Sequence, residues 1–297
     1  MAKERGTGGQ ERAACVLSSL ANGSTDRMQA LFQKGIFDLL DHLLKHGTLA
    51  AKERAACTVL SLGNAGNHMK QEVMNEHEDI VVSLVALLKC SSPSTRSRAA
   101  DALTCLANGK DSRKAAILEA RVMPAVVHMI KNGTPSCRER AAGLMCSLCS
   151  GTVEQKVAVG RSPNVICEMV QMLQAPAQDN TAPGLENAVL ALQAFAKVPE
   201  LCEEMQTAKA VQALQRLAGD LTAPQGLQKL ARMAWNSPLS SPVRLLSDRV
   251  FTPLLSPLGS STSAASNKST RSSTPISPNW VVNTLSVSSA YIEASSL

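Results

Sequence analysis

Aromatic side chains are nearly absent. Trp, Tyr and Phe make up 2% of the 297 residues, within an apolar share of 44%. Any core must therefore be aliphatic, filled with Leu, Val, Ala and Met. Long β-rich runs between turn signals are also scarce, whereas the strong helix formers Ala and Leu are plentiful, which favours an all-helical chain. There is no run of 18 apolar residues, so no membrane span is expected. The opening Met1-Ala2-Lys3-Glu4-Arg5-Gly6 lacks the apolar stretch of a secretory signal. These absences lead to the expectation of a soluble protein of the cytoplasm, with the nucleus as a second compartment. Charge of one sign is not concentrated either. Thirty basic and 24 acidic side chains leave a formal charge of +6, which assists an encounter with an acidic partner but is too thin for a nucleic-acid binder.

The residues of known chemistries are missing in the same way. The chain has no His-Glu-x-x-His, no glycine-rich phosphate loop with its lysine and no nucleophile elbow. The nine cysteines are an odd number. Cys15, Cys57, Cys105 and Cys146 fall inside apolar helical segments, which points to buried or half-buried thiols in a reducing compartment rather than a disulfide framework. Cys146 and Cys149 form a lone Cys-x-x-Cys without an activating neighbour or second ligand pair, so core packing is its expected role. Asp38, His42 and His46 read as a polar surface stripe. No catalytic residue, cofactor or metal site is expected.

What is present is a repeat. Glu11-Arg12-Ala13-Ala14, Glu53-Arg54-Ala55-Ala56, Ser97-Arg98-Ala99-Ala100 and Glu139-Arg140-Ala141-Ala142 follow one another at spacings of 42, 44 and 42 residues. A weaker copy, Glu186-Asn187-Ala188, starts 47 residues later, after an inserted loop from Ala175-Pro176 through Pro183-Gly184. A period in the low forties marks a helical solenoid. Ala13, Val16, Leu17 and Leu20, or Ala99, Ala102, Leu103 and Leu106, make one apolar stripe on a helix. Asn22-Gly23 and Asn108-Gly109 are expected to end it in the left-handed conformation. Between these helices lie a short helical piece (26–33, 112–119) and a second one (36–44, 80–88, 123–130, 165–173, 211–217). Turns are expected at Gly47, Ser92-Pro93 and Gly133-Thr134-Pro135. No unit of this kind buries its apolar face alone, so a break in a middle copy should cost more than one at an end. The chain opens on a third-type helix, so the expectation is either that Met1–Gly9 sits over an exposed end or that the chain is a fragment of a longer solenoid.

This pattern resembles the armadillo-repeat family over about residues 11–236. The family's third-helix pattern, Ala-Ala-x-x-Leu-x-x-Leu-Ala, matches Ala13-Ala14-Cys15-Val16-Leu17-Ser18-Ser19-Leu20-Ala21. Three helical pieces per period fit it better than the two of a HEAT solenoid. The resemblance implies a right-handed α-solenoid of about five three-helix repeats, with third helices near 11–22, 53–64, 97–108, 139–150 and 186–197 and a last helix at 227–235. It also implies that third helices line a concave groove for extended peptides or partner domains. Import receptors of the family grip basic signals with a Trp and an Asn on this helix. The matching Trp positions here are Cys15, Cys57, Asp101, Gly143 and Leu190, and the Asn positions are Ser19, Ser61, Cys105, Ser147 and Ala194. None is retained, which argues against an import adaptor.

An arginine recurs in this register instead. Arg12, Arg54, Arg98 and Arg140 precede the Trp-equivalent position by three residues, so they share its helix face. A planar fork of donors suits carboxylates and phosphates. Two readings stay open, a ligand-binding ladder and a ladder neutralised by Glu11, Glu53, Glu139 and other acids. The candidate groove residues are Arg12, Cys15, Ser19, Arg54, Cys57, Ser61, Arg98, Asp101 and Arg140.

Residues 1–10 read as a flexible N-terminus, and composition shifts again after Asn236. The last 61 residues hold 23 Ser or Thr, and a segment so poor in long apolar side chains is expected to be disordered. Ser237, Ser241, Thr252, Ser256, Thr274 and Ser277 each precede a proline and resemble substrates of proline-directed kinases. The expected function is a non-catalytic scaffold or adaptor for protein or peptide partners of acidic or phosphorylated character. The alternative is a substrate-recruiting or regulatory subunit of a larger complex such as a ubiquitin ligase.

Overall fold

The computed structural model describes residues 2–22, 25–66, 68, 70, 71, 73 and 77–236. The tail and its six Ser/Thr-Pro positions lie outside the described residues. Every element described is helical. The long third helices are α1 (Ala2–Ala21), α4 (Leu49–Ala65), α6 (Pro93–Ala107), α9 (Pro135–Cys149), α12 (Ala182–Ala196) and α15 (Gln225–Asn236). The first helices include α2 (Thr25–Gln33), α7 (Asp111–Glu119), α10 (Val153–Gly160) and α13 (Cys202–Thr207). The second helices are α3 (Ile36–His46), α5 (Glu78–Leu87), α8 (Met123–Asn132), α11 (Val165–Gln174) and α14 (Ala210–Gly219).

Third helices pack in a row, α1 on α4, α4 on α6, α6 on α9, α9 on α12 and α12 on α15. One register governs the seam. Ala55, Thr58 and Leu62 on α4 are fully or almost fully buried, and so are Ala99, Ala102 and Leu106 on α6. The same holds for Ala141, Leu144 and Leu148 on α9, and for Ala188, Ala191 and Phe195 on α12. Each trio begins with an alanine one position after the repeating Arg or its equivalent. That small side chain lets neighbouring helices approach closely, and the larger residues one and two turns later fill the space beyond. At Gly63 the neighbouring third helix comes close enough that a Cβ would stand 2.8 Å from Cys105 Sγ.

The starts of the third helices differ from the sequence reading. Ser92-Pro93 and Thr134-Pro135 are N-caps followed by a first-turn proline, not free turns. Thr48, Ser92, Thr134 and Thr181 accept hydrogen bonds from the amides of Ala51, Thr95, Cys137 and Gly184. Each helix therefore starts about a turn before the Glu-Arg-Ala-Ala signature. Pro183-Gly184 belongs to α12, so the inserted loop closes at Thr181. A short 3-10 turn spans Ala177–Asp179 within it, and Asn180 Nδ2 donates to the Met172 carbonyl at 3.0 Å. At the other end of the helix, Asn108 is extended (φ −65°, ψ 130°), and the positive φ falls on Gly109.

The flexible N-terminus expected over residues 1–10 is instead helix from Ala2 onward. Nucleating a helix is costly, but extending one already fixed by packing adds a hydrogen bond for each residue ordered. Residues 2–9 continue the axis of α1 and so do not fold over the end of the stack.

Candidate functional site

The row of third helices leaves one long face to solvent. Arg12, Cys15 and Ser19 are exposed on α1. On α4, Arg54 is exposed while Cys57 and Ser61 are half-buried. On α6, Arg98 is exposed, Asp101 is half-buried and Cys105 is buried. Arg140 is exposed on α9, with Gly143 and Ser147 half-buried behind it. The i, i+3, i+7 spacing puts the members of each set on one stripe, and the seam register sets the stripes side by side. The nine candidate residues thus share a surface. On α12 the arginine row ends at Asn187, next to an exposed Leu190.

The glutamates beside the arginines have a further task besides the neutralising one considered above. Thr48 Oγ1 donates to Glu11 Oε1 at 2.7 Å, Ser94 Oγ to Glu53 Oε1 at 2.6 Å, and Thr181 Oγ1 to Glu139 Oε2 at 2.7 Å. Each glutamate therefore binds a hydroxyl at the start of the next third helix. In the repeat that carries Ser97 instead, Ser97 Oγ contacts Cys137 Sγ at 3.4 Å. A second row of repeat-to-repeat bonds runs at the far end of the face. Ser61 Oγ donates to Asn22 Oδ1, Cys105 Sγ to Asn64 Oδ1 at 3.1 Å, and Ser147 Oγ to Asn108 Oδ1 at 3.0 Å. Sequence reasoning read Asn22 and Asn108 only as helix stops and passed over the glutamates' partners. The signal was available in the constant offset of ten residues from arginine to asparagine in three repeats.

Among the described residues, contact ion pairing is confined to one rung. Arg140 Nη1 lies 3.3 Å from Asp101 Oδ1, and its Nη2 lies 3.8 Å from Glu139. Arg12, Arg54 and Arg98 make no ion pair among the described residues. Burial pushes the Asp101 carboxyl above its ordinary value, and the Arg140 and Arg98 guanidinium groups oppose that push. A pocket of about 330 Å³ opens between α6 and α9, lined by Ser94, Ser97, Arg98, Asp101, Ser136 and Arg140.

Four thiols on and behind this face, Cys57, Cys105, Cys146 and Cys149, are favoured in the protonated form. Burial raises Cys57, Cys105 and Cys146, and it raises the fully enclosed Cys149 most. The Cys-x-x-Cys of α9 is packed in or against the core. His42 and His46 stack on α3 with ring centroids 5.2 Å apart, while Asp38 faces His77 at 3.9 Å. Among the described residues no three His, Cys, Asp or Glu side chains are grouped to hold a metal ion, and no helix is long and apolar enough to cross a membrane.

These features define an α-solenoid that displays one face of its third helices, repeat after repeat. The similar solved structures give that solenoid its type. The designed armadillo repeat protein YIII(Dq)4CqI matches with a TM-score of 0.66 at 21% identity, over 76% of this chain and 91% of its own. The designed armadillo repeat protein YIII(Dq.V1)4CPAF, in complex with the peptide (KR)4, matches with a TM-score of 0.67 at 22% identity, over 76% and 92%. Computationally designed armadillo repeat proteins for modular peptide recognition match with a TM-score of 0.68 at 22% identity, over 75% and 90%. No family model and no curated protein matches the chain. The fold is the armadillo-repeat solenoid.

Proposed function

We propose that the third-helix face binds an extended acidic or phosphorylated segment of a partner protein, and that the chain acts as a non-catalytic scaffold. The carrying observation is the set of exposed guanidinium groups at Arg12, Arg54 and Arg98; Glu11 and Glu53 beside the first two are engaged between repeats, and the uncharged Ser97 stands beside the third. Neighbouring helices lie about 8–10 Å apart, and a peptide in the polyproline II conformation advances about 3.1 Å per residue and returns a side chain to the same face about every three residues. One acidic side chain in about every three residues then meets successive rungs. The similar designs give the mode of binding as a precedent, since they were built for peptides. The peptide in one of them, (KR)4, is basic; a row of arginines calls for the opposite charge. The protonated thiols support binding over chemistry, because the thiolate is the reactive form.

The test is fluorescence anisotropy with a peptide carrying glutamate or phosphoserine at every third position, against its glutamine counterpart. Arg54→Glu with Arg98→Glu should weaken binding at least about tenfold, the scale of two lost charge-assisted contacts. Asp101→Asn should strengthen it by releasing Arg140, and added salt should weaken it. Affinities that stay unchanged in all these comparisons would reject the reading.

A further inference from the structure

In three gaps of the third-helix row, a glutamate of one helix reaches the first turn of the next. Thr48 and Thr181 show the arrangement most fully. Each caps its helix by accepting the amide of Ala51 or Gly184, and each also donates its hydroxyl proton to a glutamate, Glu11 or Glu139. In the α4–α6 gap Ser94 donates instead, to Glu53. The α6–α9 gap has the same receiving end without the carboxylate. Thr134 caps α9 and accepts the Cys137 amide at 3.3 Å, but its hydroxyl and that of Ser136 donate to no acceptor among the described residues. One residue accounts for this. Ser97 stands where the other repeats carry Glu11, Glu53 and Glu139, and its short side chain stops at Cys137 Sγ, 3.4 Å away.

The missing glutamate leaves space and donors together. The pocket of about 330 Å³ lies in this gap, and Ser97, Thr134 and Ser136 line it with Arg98 and Arg140. Ser94 is on its wall too, but its proton already goes to Glu53. Arg140 holds Asp101 Oδ1 at 3.3 Å through Nη1, with Glu139 at 3.8 Å from Nη2, and a guanidinium carries five donors. Asp101 is the one acid in the lining, so two positive groups stand there against one negative. A carboxylate entering this gap would only repeat, with two oxygens, the contact made in the others. A phosphate monoester brings three acceptor oxygens and nearly two negative charges. It can therefore take both guanidinium forks and a hydroxyl at once.

We propose that the α6–α9 gap is a binding pocket for a phosphorylated serine side chain of the partner segment. The phosphate takes the place that a glutamate fills in the other gaps, accepting from Thr134 or Ser136 and bridging the Arg98 and Arg140 guanidinium groups. The pocket rests on the reading of the arginine face as a binding surface, and narrows it from acidic groups in general to one phosphate at one gap.

The probe is a short peptide of uncharged residues with one central phosphoserine, titrated into the full chain and followed by NMR at the Ser97 and Ser136 amides. Saturable shifts are expected, with a Kd at least about tenfold lower than that of the same peptide carrying glutamate. Ser97→Glu restores the side chain of the other repeats and should weaken phosphoserine binding at least about tenfold. Ser97→Gln fills the gap without adding charge and should weaken it at least about threefold. Phosphoserine and glutamate peptides that bind alike would overturn the proposal, and so would affinity that survives either substitution. The pocket and the wider reading can fail separately. If a peptide with glutamate at every third position binds while the single phosphoserine gains nothing over its glutamate form, the pocket is overturned and the arginine row stands. If the single phosphoserine binds and the repeated glutamates do not, the pocket stands and the row is rejected.

Discussion

Asp101 is the residue of the third-helix face at which burial and charge oppose each other. It holds the place where the other repeats carry Cys15, Cys57 and Gly143, and it alone brings a negative charge into the middle of the arginine face. Its carboxyl is pushed up mainly by burial, with Arg140 and Arg98 pulling the other way. A carboxyl that binds its proton more tightly in the folded state contributes stability that is full below its unfolded value of about 3.9. That contribution is lost as pH rises through the higher folded value. Asparagine has no such proton to lose. Against Asp101→Asn, the wild-type chain should therefore lose stability as pH climbs out of the acid range and stay level with or below the variant at neutral pH. Urea midpoints of both proteins across that range measure it; a wild-type chain that gains on the variant with rising pH would show that Arg140 outweighs burial.

Among the elements, the joints between first and second helices carry a strain that sequence gives little hint of. Gly35, Arg121, Asn164 and Lys209 each stand one residue before the same register of the second helix, and all four have positive φ, 69°, 56°, 64° and 57°. Glycine adopts this conformation freely and asparagine tolerates it. For other L residues it costs about 1–2 kcal/mol, offset in part by the lower unfolded-state entropy relative to glycine. Arg121→Gly or Lys209→Gly should therefore stabilise by up to about 1 kcal/mol, and Gly35→Ala should destabilise by a similar amount. Denaturant midpoints read both directions. Helix type and order were legible in advance because aliphatic spacing at i, i+3, i+4 is a property of each segment taken singly. The boundaries were less so. Ser92-Pro93 carries the same local signal as a turn and as a capped helix start, and the structure has the capped start, with the Thr95 amide donating to Ser92 Oγ. The arginine row was legible from its period, but its electrostatics were not. Glu53 adjoins Arg54 in sequence yet turns to Ser94, 41 residues away, while the acid that does neutralise a rung, Asp101, sits 39 residues before Arg140.

For the stack as a whole, the consequence of quasi-one-dimensional packing is that equal side chains in equal register are worth different amounts. Leu106 and Leu20 hold the same seam position, but the first is sealed between α4 and α6 while the second is 37% exposed at the open end. Leu106→Ala leaves a cavity lined by both neighbours and should cost about 2–5 kcal/mol. Leu20→Ala removes contacts on one side only and forms no closed cavity, so about 1 kcal/mol or less is expected, the scale of surface changes. Two equal losses in urea titrations would mean that α1 is covered in solution by something the seam comparison does not account for. The order of unfolding should follow the same gradient. Local opening free energies in a solenoid add from intrinsic and neighbour terms, and α1 has a third-helix neighbour on one side only. Amide exchange in α1 should therefore proceed through local opening well below the global unfolding free energy, while α6 and α9 exchange near it. The groove would then be least stable at the rung carrying Arg12, and a bound acidic segment that spans Arg12 to Arg98 should slow exchange in α1 more than in α9. A ligand can raise the protection of an element only by the free energy with which it favours the closed form. Equal slowing in α1 and α9 would therefore show that the ligand does not reach Arg12.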